Sequence, residues 1–176
     1  KGLTVAIFGT GPVGLCTAII AAQEGASTRL CGLTADDDKN VAMRFCDRYD
    51  VSVDWVSALT SEEKIVALNN VDVVICVAKA GVRILEQKEL DSVSNLLVVA
   101  DTNAVPPSGA AGVGMQDLDT SIEYAGGVFS GIGPLAIGNI KSQTEIGLFK
   151  YVQESEKAAL IDFPDAYKFA LSLVNK

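Results

Sequence analysis

The chain has 176 residues, 49% of them apolar, which is enough for one domain with a sizeable core and is the balance of a soluble α/β protein. A formal net charge of -8 argues against a nucleic-acid surface or an anionic membrane, and the acids, spread along the chain, read as a solvated exterior. With no histidine, His-based triads and His metal sites are excluded; Cys16, Cys31, Cys46 and Cys76 lack a C-x-x-C pair, the usage of buried thiols in a reducing, cytoplasmic compartment rather than of a zinc site or a disulfide framework.

Leu3 to Phe8 runs into Gly9-Thr10-Gly11-Pro12-Val13-Gly14, and an apolar segment from Leu15 to Ala22 follows, which predicts strand, tight turn and helix. The glycine spacing is that of a dinucleotide fingerprint. Gly9 permits the turn out of the strand, Gly11 lets the backbone approach a pyrophosphate, and Gly14 lets the helix pack against the strand. Pro12 falls in the first helical turn, where a missing N–H costs nothing. The remaining N–H groups and the positive end of the helix dipole face the anion. Val5 to Ala22 carries no charge and approaches the length of a membrane span, but its glycines and its proline favour a buried strand and helix. No basic segment precedes the apolar run, so no signal peptide is expected. The chain opens on Lys1 rather than Met, with its first strand at the third residue, and reads as a domain of a longer protein.

Ser27 to Cys31 reads as the second strand, after a turn at Gly25-Ala26. Gly32 closes it, where an NAD-preferring domain usually places an acid for the ribose hydroxyls and an NADP-preferring one a small residue followed by a base. Here the residues are Gly32, Leu33 and Thr34. Gly32 leaves room for a phosphate, yet no Arg or Lys follows it directly. Asp36, Asp37 and Asp38 would repel a 2′-phosphate if they pointed inward, and fit better as the acidic first turn of a helix N-capped by Thr34. Lys39 and Arg44 are the nearby cations that could reach a phosphate, so NADP and NAD both stay open.

That helix runs to about Arg48. Val51 to Val56 alternates as a third strand carrying the sole tryptophan, Trp55, which reads as core rather than as a stacking platform. Thr60-Ser61-Glu62-Glu63 is a capping box that opens a helix to about Leu68. Val71 to Ala78 is a nearly continuous apolar run, the mark of a central parallel strand covered on both faces. Lys79-Ala80-Gly81 lies at its carboxyl end, beside the crevice where such sheets bind ligands. Lys79 reads either as a contact for a cofactor phosphate or acidic substrate, or as a solvated loop lysine.

A short helix around Ile84 to Leu90 leads to a fifth strand over Asn95 to Ala100. Asp101-Thr102-Asn103-Ala104-Val105-Pro106-Pro107 follows, with Asp101 and Asn103 facing the crevice. The paired prolines fix an extended loop, which Gly109 to Gly114 continues without regular structure. A long loop at this edge is more often functional than idle. Gly126 to Ser130 is a candidate sixth strand. Gly131 to Gly138 then forms a second glycine-rich approach, to a helix from about Asn139 to Glu154, either to cradle a ligand or only to allow close packing. Asp162 as N-cap, with Pro164 and Asp165 in the first turn, starts a final helix with Tyr167, Ala170, Leu171 and Val174 along one face. The expected architecture is an α/β, Rossmann-type doubly wound fold: a mainly parallel sheet with helices on both faces.

Four segments carry a family resemblance: Gly-Thr-Gly-Pro-Val-Gly at 9 to 14, Leu-Cys-Gly at 30 to 32, Ala-Asp-Thr-Asn-Ala-Val-Pro-Pro at 100 to 107, and Leu-Ala-Ile-Gly-Asn-Ile-Lys at 135 to 141. In this order, over nearly the whole chain, they resemble the C-terminal nucleotide-binding domain of the NAD(P)-dependent methylene-tetrahydromethanopterin dehydrogenases. The first motif is shared with many Rossmann domains; the Asp-x-Asn-Ala-x-Pro-Pro loop and the Ala-Ile-Gly-Asn-x-Lys segment are more specific. Leu33 and Thr34 depart from the basic residues of strictly NADP-preferring members, and Lys79 stands where a small residue is expected.

The resemblance implies a two-domain enzyme of one-carbon metabolism that moves a hydride from the methylene bridge of a reduced pterin to NADP or NAD, homo-oligomeric in its full-length form. Residues 1–160 would be the NAD(P)-binding domain, and residues 161–176 a C-terminal helical segment packing on an N-terminal substrate domain to which nothing in this chain corresponds. Gly9, Thr10, Gly11, Pro12, Val13 and Gly14 would hold the pyrophosphate, Gly32, Leu33 and Thr34 the adenosine ribose, and Ala78, Lys79 and Ala80 the middle of the cofactor. Asn103, Ile137 and Gly138 would flank the nicotinamide end, with Asp101 on the substrate side orienting the pterin. No catalytic acid or base and no metal is expected, because hydride loss from a carbon between two nitrogens leaves a resonance-stabilised cation and requires no proton removal. Two alternatives stay open: another two-domain dehydrogenase, of the shikimate or methylene-tetrahydrofolate type, and a dinucleotide-binding or sensing module without turnover.

Overall fold

The computed structural model describes residues 2–35, 39–155 and 160–174; Asp36, Asp37 and Asp38, with the acidic first turn expected of them, lie outside the described residues. The first strand, β1 (Thr4–Phe8), is rich in β-branched and aromatic side chains that suit a pleated surface. Its successive residues feed two different cores. Ala6 and Phe8 pack with Leu68, Val74, Leu90, Val99 and Phe129, while Val5 and Ile7 pack with Ala18, Ile19 and Leu30. Both faces are therefore covered, which is why the strand reads as an unbroken apolar run.

The chain continues through α1 (Pro12–Gln23), β2 (Ser27–Gly32), α2 (Lys39–Asp47) and β3 (Asp54–Ser57), and α3 (Ser61–Ala67) carries it back to β4 (Val73–Cys76). Then come α4 (Gln87–Leu90), β5 (Val98–Asp101), β6 (Leu118–Tyr124), β7 (Gly127–Ile132), α5 (Pro134–Glu154) and α6 (Phe163–Val174). The seven strands form one sheet in the order β3-β2-β1-β4-β5-β7-β6, parallel except for the β6–β7 hairpin. The order reverses between β1 and β4. Phe8 pairs with both Cys31 and Cys76, and Cys76 with Asp101, so the carboxyl ends of four strands stand in one row. This is the Rossmann-type architecture expected.

Local signals set the helix ends. Thr60 accepts from the Glu63 N–H at 3.2 Å, and the Glu63 carboxylate accepts in return from the N–H groups of Leu59 (2.7 Å) and Thr60 (3.4 Å), the expected capping box. The Leu59 N–H, then the Ser57 hydroxyl, hold the Glu63 carboxyl below its usual range. At the other end of the chain, Phe169 of α6 fills the place that a side chain at Gly147 of α5 would take. The Tyr49 ring lies 4.9 Å from that of Phe163, and its hydroxyl donates to Asp162 at 3.1 Å, so α6 is fastened to the α2 side of the same sheet.

Several expected elements shift. The third strand is Asp54–Ser57, not Val51 to Val56, and the fifth is Val98–Asp101, not Asn95 to Ala100. Only Gln87–Leu90 is helical within the stretch expected to be helix from Ile84. Ile84 and Leu85 instead donate from their N–H groups to the Gly109 carbonyl at 2.8 and 2.9 Å, and Leu85 bridges Ala110. The loop after the prolines is consequently not featureless: Ala110, Ala111 and Val113 are buried in the core. Strand β6 was not expected. It is an edge strand with most of its side chains exposed, so it lacks the apolar period that marks the others. Helix α5 starts at Pro134 rather than near Asn139, with Gly133 as its cap and proline at its first position. Among the described residues, no helix is long and apolar enough to cross a membrane.

Candidate functional site

The glycine turn leaves β1 at the point where the strand order reverses, outside the carboxyl edge of the sheet. Gly9 has φ 130°, a conformation that other residues rarely adopt, and a side chain on it would stand 2.9 Å from the Val77 carbonyl oxygen of the neighbouring β4 connection. A side chain on Gly14 would run into the Gly9 carbonyl oxygen. These two glycines therefore let α1 begin directly against β1 and β4. Gly11, the cap of α1, is exposed, brings no side-chain cap, and has no atom within 4 Å of where its Cβ would stand. It faces open space, whereas Gly9 and Gly14 face protein. The turn at Gly9 and the close packing at Gly14 are those expected from the sequence.

A cleft of about 510 Å³ opens here, lined by Gly9, Thr10, Gly11, Leu33, Thr34, Val77, Ala78, Lys79, Val82 and Ile84. Seven of the residues singled out from sequence meet in it: Gly9, Thr10, Gly11, Leu33, Thr34, Ala78 and Lys79. Val77, Val82 and Ile84 were not singled out; they supply an apolar wall from the connection that follows β4. Pro12, Val13 and Gly14 lie in the first turn of α1 and do not line the cleft, Pro12 and Val13 being exposed and Gly14 buried, and Ala80 is exposed beyond Lys79. Ile137 and Gly138 sit inside α5, not in the loop before it, at the end of a strand that runs parallel to β5.

Asp101 and Asn103 take positions that differ from the expected ones. Asp101 does not face the crevice: it is fully buried, and its carboxylate accepts from the N–H groups of Asn103 (2.9 Å), Gly109 (2.5 Å) and Ala110 (3.3 Å). A carboxylate shut away from water at the end of β5 is satisfied by these donors, which fold the proline loop back over it. Asn103 is also buried. Its side-chain oxygen accepts from Gly81 and Val105, each at 3.0 Å, and its amide donates to the Pro107 carbonyl at 2.7 Å. It thereby ties the turn after Lys79 to the proline loop. Both side chains shape the edge of the cleft without lining it.

Gly32 also differs from expectation. The space where a side chain would go is taken by the indole of Trp55, whose nearest atom would be 2.6 Å from a Cβ there, so Gly32 is not an opening for a phosphate. Trp55 itself is half-buried and packs against the Leu30 cluster from its edge rather than lying inside the core. Burial pushes the Cys31 thiol up to about 12 and that of Cys76 higher still, so both remain protonated at neutral pH. Among the described residues no group of three or more His, Cys, Asp or Glu is arranged to hold a metal.

A doubly wound sheet with a glycine turn and an open helix cap at its switch point defines a Rossmann-type nucleotide-binding domain. Solved structures share this fold: an L-alanine dehydrogenase (TM-score 0.57, 17% identity, 88% of this chain and 45% of that one) and a transhydrogenase from Sinorhizobium meliloti (TM-score 0.55, 19% identity, 76% and 38%). By sequence the chain is homologous to the NAD(P)-dependent methylenetetrahydromethanopterin dehydrogenase of Methylorubrum extorquens, with 37% identity over 175 residues, 98% of this chain and 58% of that protein. It is also 30% identical over 147 residues to the bifunctional protein MdtA of the same organism, covering 84% of this chain and 49% of the relative. The family resemblance read from the sequence is borne out, and the chain spans about half the length of the curated relatives it matches. No protein-family model matches the chain.

If Asp101 is the clasp of the proline loop, Asp101→Asn should lower Tm by about 4 °C or more, because a buried N–H loses its acceptor. An unchanged Tm in thermal unfolding would return the residue to the substrate side.

Proposed function

We propose that this chain is the nucleotide-binding part of an oxidoreductase that transfers a hydride from methylene-tetrahydromethanopterin, or a related methylene pterin, to NADP or NAD. The observation that carries this reading is the cleft at the switch point, found in a chain 37% identical to a dehydrogenase of that description. The residues fit a dinucleotide: Gly11 leaves space where a pyrophosphate would approach the open cap of α1, while Gly9 and Gly14 hold that cap close to the strands. When bound, the nicotinamide supplies the hydride-accepting carbon, so the organic chemistry belongs to the cofactor.

The protein's part is binding and positioning. Gly9 to Gly14 hold the pyrophosphate, Leu33 and Thr34 meet the adenosine ribose, and Ala78 and Lys79 meet the middle of the cofactor, with Ala80 beside them. Val77, Val82 and Ile84 keep water from one side of it. Ile137 and Gly138, on the helix after β7, and the loop fixed by Asp101 and Asn103 stand toward the nicotinamide end. No side chain needs to remove a proton from the methylene carbon, whose two flanking nitrogens stabilise the cation left behind. Catalysis then rests on orientation, which can supply several kcal/mol by itself, roughly 7–11 in well-ordered systems.

Residues 1–160 form the cofactor domain in this reading, and the segment 161–176 meets a substrate domain supplied by the rest of the protein. Beside that segment, Ile146, Phe149, Val152 and Leu160 are 56%, 75%, 43% and 96% exposed, apolar side chains open to a second domain.

The full-length encoded protein, given methylene-tetrahydromethanopterin with NADP and NAD in parallel, should reduce the nicotinamide, followed by absorbance. Cofactor binding without turnover would leave a sensing module. At the ribose end, Leu33→Arg should tighten NADP relative to NAD by about tenfold, the scale of one charge-assisted hydrogen bond; an unchanged ratio of dissociation constants would take residue 33 away from the phosphate.

A further inference from the structure

A Rossmann domain that holds NAD carries an acid at the end of its second strand, whose carboxylate reaches the ribose hydroxyls. In this chain that place is Gly32, and it is buried. A Cβ on Gly32 would stand 2.6 Å from Cζ2, 3.2 Å from Cη2 and 3.3 Å from Cε2 of Trp55. The register explains the approach. Leu30 pairs with Trp55 and Gly32 with Ser57, so the indole reaches diagonally from β3 across the end of β2. The ring is half-buried and packs against the cluster that holds Leu30, Ala42, Cys46 and Val53, so moving it off Gly32 costs apolar contact with that cluster.

The next residues, Leu33 and Thr34, line the cleft, and Leu33 is held against the opposite core. The adenosine end of the cleft thus has an apolar and a hydroxyl side chain where the ribose acid would otherwise project.

We propose that Trp55 is a specificity-determining residue: its indole plugs the position of the ribose-binding acid at Gly32, so the cleft does not exclude a dinucleotide phosphorylated at the 2′ position. This inference rests on the dinucleotide reading above. It places the choice between phosphorylated and unphosphorylated cofactor partly in a residue that does not line the cleft and acts through the space at Gly32.

The test is a cycle of Gly32→Asp, Trp55→Leu and the double variant, with Trp55→Phe as a second partner should the leucine variant not fold. Dissociation constants for NADP and NAD are measured by calorimetry, and Tm by thermal unfolding. Gly32→Asp alone should lower Tm by about 4 °C or more, from overpacking, and leave the NADP to NAD ratio near that of the parent. In the double variant the aspartate should cost less Tm and shift the ratio toward NAD by about tenfold or more relative to Trp55→Leu, as hydrogen bonds to a carboxylate and repulsion of a phosphate allow. A full shift in Gly32→Asp alone, or none in either double variant, would overturn the plug while leaving the dinucleotide site intact. A parent protein that binds neither dinucleotide would overturn both readings together.

Discussion

The geometry of the carboxyl edge depends on how closely α1 begins against β1 and β4. Gly9 turns with φ 130° beneath the Val77 carbonyl, and Gly14 rests on the Gly9 carbonyl with no room for a methyl group between them. If either carried a side chain, the helix would have to move outward, and the cap at Gly11 would no longer stand over the cleft between the two halves of the sheet. The aligned ends of β2, β1 and β4 then deliver Leu33 and Thr34, the glycine turn, and Val77 to Lys79 to one side of the molecule.

The far side of this edge is built differently. Where the glycine turn relies on missing side chains, the proline loop relies on two buried polar ones. Asp101 gathers three N–H donors, and Asn103 spans from Gly81 to Pro107. Each polar group is costly to bury and is offset by hydrogen bonds that exist in one loop conformation, so together they specify that conformation. The cleft thereby gains one edge whose shape is fixed by buried hydrogen bonds.

The parts legible in the sequence are those governed by local spacing. The strand, glycine turn and helix at residues 3 to 22, the capping box at Thr60, and the apolar run of β4 all report themselves over a few neighbouring residues, and they sufficed for the fold and for seven cleft residues. What was not legible depends on distant partners. Asp101 at the end of a strand reads as a crevice residue because its Gly109 and Ala110 donors lie in a stretch that looks irregular. Gly32 reads as an opening because nothing local announces that Trp55, one strand away, reaches across it. Edge strand β6 escaped because Leu118 is 72% exposed and the strand's polar positions hide its alternation of Ile122 and Tyr124. Ile84 escaped because a helix was expected from that residue on, whereas it lies in the irregular connection ahead of α4 and donates to Gly109.

The most direct measurement of the central claim is a titration of this domain with NADP and with NAD, read by backbone amide chemical shifts. Saturable shifts concentrated at Gly9 to Gly14, Leu33 and Thr34, and Val77 to Ala80 are the predicted result, with α6 and the β6 edge left unperturbed. Absence of saturable binding, or shifts centred away from the carboxyl edge of the sheet, would contradict the account.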